Sequence, residues 1–116
     1  IISNTSTERP SNLISGFRSE SGGLSGKPLR DKSNEVLKLI AAKTKGEISL
    51  IGVGGISNAK DVYQKIKLGA SAVQLYTALT FEGSKLIENI KRDLVKFLKQ
   101  DNFENIEQAV RSEIKD

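Results

Sequence analysis

The sequence predicts an α/β fold with a parallel sheet, and three observations support that class. Residues 48–53 and 70–76 are short and largely apolar, as strands are. Segments whose apolar residues follow helical spacing precede, separate and follow these two runs, and such alternation indicates right-handed βαβ crossovers. Glycines follow the first strand and two of the helices, where turns favour them.

Composition excludes several classes of site. The 116 residues contain no Cys and no His, which removes disulfides, thiolate or imidazole metal ligands and the imidazole general base, so no metal site is predicted. No apolar run approaches the roughly 20 residues of a membrane span. The net charge is +4, but basic residues alternate with acidic ones, as in Lys91, Arg92 and Asp93. That pattern is typical of a solvated helix face, and no nucleic-acid partner is predicted.

The N-terminal quarter is predicted to be mostly loop. Residues 1–32 are rich in Ser, Gly and Asn, although Ile1 and Ile2 have the character of a strand end. A loop this long is uncommon in a compact domain unless it is functional or disordered. Helical spacing of apolar residues then begins, with Asp31 or Ser33 as the expected N-cap, and Gly46 is expected to end that helix.

The middle of the chain is predicted to form a strand, a helix and a second strand. Residues 48–53 read as a parallel strand buried on both faces. Ser57 or Asn58 is expected to cap the next helix, and Gly69 to follow its last turn. Residues 70–76 form the second strand.

The C-terminal part is predicted to be helical after a connection that contains Phe81 and Gly83. A helix over about 84–99 has one apolar stripe, and a last short helix contains Ile106, Ala109 and Val110. Helices on one side of only two strands would leave the sheet incompletely covered, and both strands would keep unpaired edges. We therefore expect the chain to be part of a larger α/β fold.

The run 52–57, Gly-Val-Gly-Gly-Ile-Ser, places glycines between a strand and a helix. Main-chain N–H groups can approach an anion there, and the helix N-terminus favours negative charge. The alternative is a tight turn without a ligand. The run is not a dinucleotide fingerprint, because Ser57 occupies the place of the third glycine.

Polar residues follow two other expected strand ends. Tyr76 and Thr77 end the second strand, and the last two strand ends of (β/α)₈ barrels commonly share a phosphate site. Ser3, Asn4 and Thr5 offer hydroxyls and an amide at the first strand end. For Tyr76 the alternative is an aromatic residue at the rim whose hydroxyl meets solvent. For residues 3–5 it is a plain turn. No pair of carboxylates has catalytic spacing.

Three strings resemble the C-terminal part of dihydroorotate dehydrogenases. They are Ser-Gly-Gly-Leu-Ser-Gly-Lys-Pro-Leu at 21–29, Ile-Gly-Val-Gly-Gly-Ile at 51–56 and Gly-Ala-Ser-Ala-Val-Gln-Leu-Tyr-Thr-Ala-Leu at 69–79. The first resembles the class 2, quinone-reducing, membrane-associated branch. The resemblance implies that residues 1–116 are the C-terminal part of a single FMN-binding (β/α)₈ TIM-barrel domain.

The resemblance also implies roles for individual residues. Asn4 and Thr5 match the pair that hydrogen-bonds the dihydroorotate or orotate ring. Matches to FMN contacts fall on Ser3, Gly26, Gly55, Tyr76 and Thr77. Ser3 departs from the usual threonine but keeps the hydroxyl. No catalytic residue is implied here, because the family's serine base and its quinone-tunnel helices correspond to segments upstream of Ile1.

The resemblance implies that the chain is part of an enzyme that oxidises dihydroorotate to orotate, a step of pyrimidine biosynthesis, with a quinone as electron acceptor. Through its family the protein would be associated with a bacterial inner membrane or the mitochondrial inner membrane, with no membrane segment in this chain. Quinone would be reached through segments absent here, and the N-terminal part of the barrel would be a necessary partner. The alternatives are an inactive truncated remnant and a piece of another FMN-dependent TIM-barrel oxidoreductase.

Overall fold

The structure, a computed structural model, describes residues 1–115, and a parallel pair of strands lies at its centre. β1 (Leu50–Val53) and β2 (Ala70–Gln74) run in the same direction, with Gly52 opposite Val73. Ile2 lies along the other side of β1 in a parallel bridge to Gly52. The parallel sheet and the strand end at Ile2 therefore agree with the sequence-based expectation.

Helices follow and cover these strands. A 3₁₀ turn, Lys27–Leu29, leads into the first of them. Within residues 1–115 the α-helices are α1 (Arg30–Thr44), α2 (Ala59–Lys67), α3 (Thr77–Glu82), α4 (Lys85–Gln100) and α5 (Ile106–Ala109). α1 packs against β1, whereas α2 packs against both β2 and α4. The helix, strand, helix, strand, helix order is confirmed, and α3 is an addition within the predicted connection.

The predicted N-caps of α1 are wrong. The helix begins at Arg30 directly after the 3₁₀ turn, so Asp31 lies in its first turn. Ser33 lies inside the helix, where its hydroxyl donates a hydrogen bond to the Val53 carbonyl oxygen across the interface with β1. A hydroxyl with a tertiary acceptor of this kind no longer competes for the helix backbone.

Both strands are shorter than predicted. Ile48 is 60% exposed and precedes β1, which begins at Leu50. Tyr76 lies beyond β2, where the chain turns into α3. Of the two expected caps of α2, Asn58 is the one observed: its Oδ1 accepts from the Asp61 N–H at 2.9 Å. Gly69 follows α2 with φ +109°, as predicted for a residue in that position.

The core lies between α2, α4 and the strands. Val62 and Ile66 of α2 are buried against Leu86 and Ile90 of α4. The predicted burial of the first strand on both faces holds only in part, because Leu50 and Gly52 are buried while Ile51 and Val53 are half-buried. None of the helices in residues 1–115 combines the length and apolar character needed to cross a membrane.

Candidate functional site

The ends of the Ile2 segment, β1 and β2 meet around a cavity of about 210 Å³. In parallel α/β sheets this edge, beyond the carboxyl ends of the strands, is where ligands bind. The cavity is lined by all of the residues singled out from the sequence: Ser3, Asn4, Thr5, Gly26, Gly55, Tyr76 and Thr77. Residues from three strand ends and from the loop before α1 are therefore neighbours in the fold.

Residues 3–5 form one wall of the cavity. The Ser3 N–H donates to the Val53 carbonyl at 3.2 Å, which aligns this segment with the end of β1. A Cβ added at Gly23 would lie 1.8 Å from Thr5 Oγ1, so only glycine allows the loop to cover Thr5 this closely. Asn4 and Thr5 are both exposed, and Asn4 Oδ1 accepts from the Thr5 N–H at 2.8 Å and from the Thr5 hydroxyl at 3.4 Å.

A second wall joins the loop before α1 to the end of β2. Ser25 Oγ and Thr77 Oγ1 are 2.9 Å apart in a hydrogen bond that spans 52 positions of sequence. Gly26 has φ +81°, and a Cβ there would lie 3.2 Å from Thr77 Cγ2. Tyr76 is 82% exposed at the rim. The hydroxyl pair therefore closes this side of the cavity.

The glycine turn, defined as Gly54 and Gly55, lies between β1 and α2 and requires both glycines. Their φ values of +113° and +72° lie in the left-handed region. A Cβ at Gly55 would lie 2.4 Å from the Cα of Arg30, and one at Gly54 would lie 3.0 Å from Ser33 Oγ. The glycines therefore let the turn pack against the first turns of α1 on one side while it faces the cavity on the other.

The main-chain N–H groups of Gly55 and Ile56 are the polar groups that the glycine turn presents, since the Gly54 N–H faces Gln74 of β2. Across residues 1–115 the Gly55 and Ile56 N–H groups donate to no protein acceptor. Gly55 and Ile56 are also buried, and a buried N–H without an acceptor is costly. A phosphate oxygen would satisfy these donors, as anions do at other glycine-rich turns. The donor set therefore fits the phosphate of FMN.

An ionic and hydrogen-bonded group supports the residues that follow the glycine turn. Asp61 Oδ2 accepts from both the N–H and the hydroxyl of Ser57 at 3.0 Å. Its Oδ1 lies 3.5 Å from Arg30 Nη1, and the Asp61 side chain is nearly buried. Hydrogen bonding and charge from Asp31, with a smaller contribution from Asp61, raise the pKa of Arg30, which therefore stays charged. α1 and α2 are thus tied together on either side of the turn.

Two residues behind the glycine turn were missed in the sequence. Ser33 was interpreted as a helix cap, and Lys65 was not considered, although both are fully buried. A signal was present for Lys65: it follows Val62 by three positions and precedes Ile66, so helical spacing places it on the apolar face of α2. A lysine in such a position needs a buried partner.

The cavity can bind a polar ligand but contains no group suited to general acid–base work. None of the residues that line it carries a carboxylate, an amine or an imidazole. Across residues 1–115 no three His, Cys, Asp or Glu side chains are gathered as a metal ion would require. Backbone N–H groups, hydroxyls and one amide are the groups that it offers, and these are groups that orient ligands.

Comparison with known proteins gives the same family by sequence and by structure. Residues 1–98 match the family model described as dihydroorotate dehydrogenase. The mitochondrial dihydroorotate dehydrogenase (quinone) of Mus musculus is 49% identical over 110 residues, which cover 95% of this chain and 28% of that protein. The dihydroorotate dehydrogenase (quinone) of Rhodospirillum rubrum is 43% identical over 116 residues, which cover 100% of this chain and 32% of that protein.

The fold comparison agrees. The crystal structure of ligand-free DHODH from Eimeria tenella superposes with a TM-score of 0.95 at 34% identity, covering 100% of this chain and 32% of that one. The chain thus spans about a third of the length of these relatives and has the α/β architecture of the C-terminal portion of their (β/α)₈ TIM barrel. The chain belongs to the dihydroorotate dehydrogenase family, an oxidoreductase family.

Proposed function

We propose that this chain supplies FMN- and orotate-binding residues to a flavoprotein that oxidises dihydroorotate to orotate with a quinone as acceptor. The observation that carries the proposal is the meeting of Asn4 and Thr5 with the glycine turn and with Thr77 around one cavity. Relatives named as quinone-dependent dihydroorotate dehydrogenases support the acceptor. Residues 1–116 would be part of a single FMN-binding barrel domain.

Each wall of the cavity would have a separate task. The N–H groups of the glycine turn and the Thr77 hydroxyl would hold the FMN phosphate, with Gly26 and Tyr76 beside them. Ser3 would contact the flavin through its hydroxyl. Such fixed donors orient a ligand without rearrangement when it binds.

Asn4 and Thr5 would hold the substrate ring through hydrogen bonds. An amide donates and accepts, and a hydroxyl does the same, so the pair suits a ring that carries both carbonyl and N–H groups. A bound FMN would supply the hydride acceptor for C6 of dihydroorotate, and the C5 proton would go to a base outside this chain. The two residues would fix the ring so that C6 faces the flavin, and alignment of this kind accelerates transfer.

Association with a membrane and reduction of quinone belong to the same proposal. The relatives are named for quinone, and one is mitochondrial, which supports a place at a bacterial or mitochondrial inner membrane. The groups that would contact quinone and membrane lie in other segments of such a protein.

A chimera tests the proposal. Residues 1–116 replace the matching 32% of the Rhodospirillum rubrum relative, giving a complete barrel, hereafter the chimera. We expect the purified chimera to contain FMN and to reduce a quinone when dihydroorotate is added. The 116-residue chain alone should neither bind FMN tightly nor turn over dihydroorotate. A soluble chimera that binds no flavin would contradict the proposal and favour an inactive remnant.

The substrate role of Asn4 is tested within the chimera. Asn4→Ala should weaken orotate binding by ten- to a hundredfold, since a lost hydrogen bond to a buried ligand costs about 1.5 to 3 kcal/mol. Orotate affinity is measured by titration of the flavin absorbance. Asn12→Ala removes an exposed amide in the distant loop and is the matched control. Equal orotate affinity in the two variants would remove Asn4 from the site.

A further inference from the structure

Lys65 is a fully buried lysine that does not line the cavity. Its residue exposure is 0%, and its Nζ donates to Ser33 Oγ and to Asn34 Oδ1, each at 2.8 Å. A buried ammonium group is unfavourable unless hydrogen bonds replace its water. The structure supplies those bonds from α1, so Lys65 joins the second helix to the first beneath β1.

The direction of these hydrogen bonds follows from the donor inventory. An ammonium group has only donors, so the Ser33 oxygen must accept from Lys65. The single hydroxyl hydrogen of Ser33 is then free for the Val53 carbonyl, whose oxygen lies 2.5 Å away. Lys65 therefore fills the acceptor side of the Ser33 hydroxyl while its hydrogen goes to Val53, which is the last residue of β1, directly before the glycine turn.

The Val53 carbonyl joins this relay to the cavity wall. Its oxygen also accepts from the Ser3 N–H at 3.2 Å. One carbonyl is thus held from two sides, by α1 through Ser33 and by the segment that contains Asn4 and Thr5. The peptide plane of this carbonyl contains the Gly54 N–H, which faces Gln74 of β2, so whatever fixes the carbonyl also fixes the direction in which the glycine turn leaves the strand.

Packing beneath β1 restricts the same residues. A Cβ at Gly52 would lie 3.1 Å from Lys65 Cδ, and one at Gly54 would lie 3.0 Å from Ser33 Oγ. The lysine stem therefore lies under one glycine and the serine hydroxyl under the other. Between these glycines, Val53 is held by the hydrogen bond described above.

We propose that Lys65 is a positioning residue for the glycine turn: through Ser33 it holds the Val53–Gly54 peptide, from which the turn starts, and so directs the Gly55 and Ile56 N–H groups at a flavin phosphate. The proposal rests on the proposed function, since it needs a phosphate in the cavity. A purely structural residue here would need no charge, because apolar residues of similar volume commonly replace buried ionic groups without loss of stability.

The phosphate itself provides a readout that separates positioning from stability. FMN carries a phosphate and riboflavin does not, while both have the same ring. We compare their dissociation constants for the apo form of the chimera by quenching of flavin fluorescence, in the wild type and in Lys65→Met and Ser33→Ala. Each variant should reduce the preference for FMN over riboflavin at least tenfold, with riboflavin affinity changed less than threefold.

The control is Lys60→Met, the same substitution at an exposed position of the same helix, which should leave the preference unchanged. If Lys65→Met does not fold, Ser33→Ala decides, because it keeps the lysine and removes only the relay. An unchanged preference in a folded variant, or an equal loss of both flavins, would overturn the positioning role. A wild-type chimera with no preference for FMN would instead overturn the proposed function, so the two failures are distinguishable.

Discussion

The two strand–helix junctions that form the cavity are built in opposite ways. After β1 the chain turns through Gly54 and Gly55, of which Gly55 is buried against the backbone of Arg30. After β2 it turns through Tyr76, which is 82% exposed, and the Ser25–Thr77 hydroxyl pair ties that junction to the rest of the chain. The first junction is restrained by packing and buried hydrogen bonds, and the second by one exposed hydrogen bond and by the partly buried Leu75 and Ala78.

The difference indicates which part of the site is ready before a ligand binds. Packed interiors resist small displacements, so the N–H groups of the first junction keep their direction in the empty site. An exposed hydrogen bond contributes little to stability, and segments with few buried contacts open locally. We therefore expect the first junction to provide fixed donors, and the second to become ordered when a ligand or neighbouring segment covers it.

The largest expected effect is at Gly55. Gly55→Ala would place a Cβ 2.3 to 2.6 Å from Arg30 atoms that include backbone, at a φ of +72°. The turn would have to move away from α1, and strain together with overpacking should destabilise the chimera by on the order of 3 to 5 kcal/mol. Urea unfolding measures the loss, and FMN content should fall with it.

Two alanine substitutions separate the causes at Gly55. Gly83→Ala meets nothing within 4 Å at a φ of +71° and a ψ of −177°, a region that favours glycine, so it reports the backbone strain alone, about 1 to 3 kcal/mol. Gly16→Ala meets nothing within 4 Å and has no positive φ, so it should be neutral. A loss at Gly55 no larger than that at Gly83 would show that the packing against Arg30 is unimportant.

The sequence predicts the residues of the first junction better than it predicts the tertiary contacts that hold this junction in place. Strand, glycine run and helix cap are local patterns, and Gly55 and Asn58 were both identified from them. The Ser33 contact with Val53 depends on how α1 packs against β1, which no local pattern encodes. Helix propensity and capping preferences therefore placed Ser33 at a helix end, whereas tertiary packing places it inside.

The second junction was predicted in its residues but not in its conformation. Tyr76 and Thr77 were identified through their position after a strand, and both line the cavity. The strand was expected to include Tyr76, yet it ends at Gln74, and α3 begins at Thr77. Apolar and aromatic residues continue past the strand end here, so composition alone could not locate the boundary.

An intermediate effect is expected from pH, because burial lowers the pKa of Lys65 to about 8 while the charge of Asp61 partly opposes the shift. The unfolded chain keeps this proton to about pH 10.5, so above pH 8 the unfolded state binds more protons and stability rises with pH. Between pH 8 and 9.5 the gain should be on the order of 2 kcal/mol. Ser33 and Asn34 face the ammonium group from α1, and Arg30 pairs with Asp61.

The apo chimera is unfolded by urea from pH 7 to 9.5, and Lys65→Met is compared with the wild type. Burial and the hydrogen bond to Asp101 raise the pKa of Tyr63, so that residue lowers stability only near pH 10 and above. The rise should be absent in Lys65→Met and present in Lys60→Met. A rise that persists in Lys65→Met would mean that another group titrates.

The smallest expected effect is at the second junction. Thr77→Val keeps the shape of the side chain and removes the exposed hydrogen bond to Ser25, so the chimera should lose only about 0.5 to 1 kcal/mol of stability.

Local opening at the second junction should increase more visibly than global unfolding, because this bond links α3 to the loop before α1. Hydrogen exchange at the amides of Leu79 and Gly83, which bond within α3 and its end, should become several-fold faster in the empty site and return to the wild-type rate with FMN bound. Thr80→Val, an exposed hydroxyl on the same helix, is the control. Exchange at these amides that is as slow as at the Val53 amide, which donates to Ile2 at the first junction, in the wild-type empty site would contradict the contrast between the two junctions.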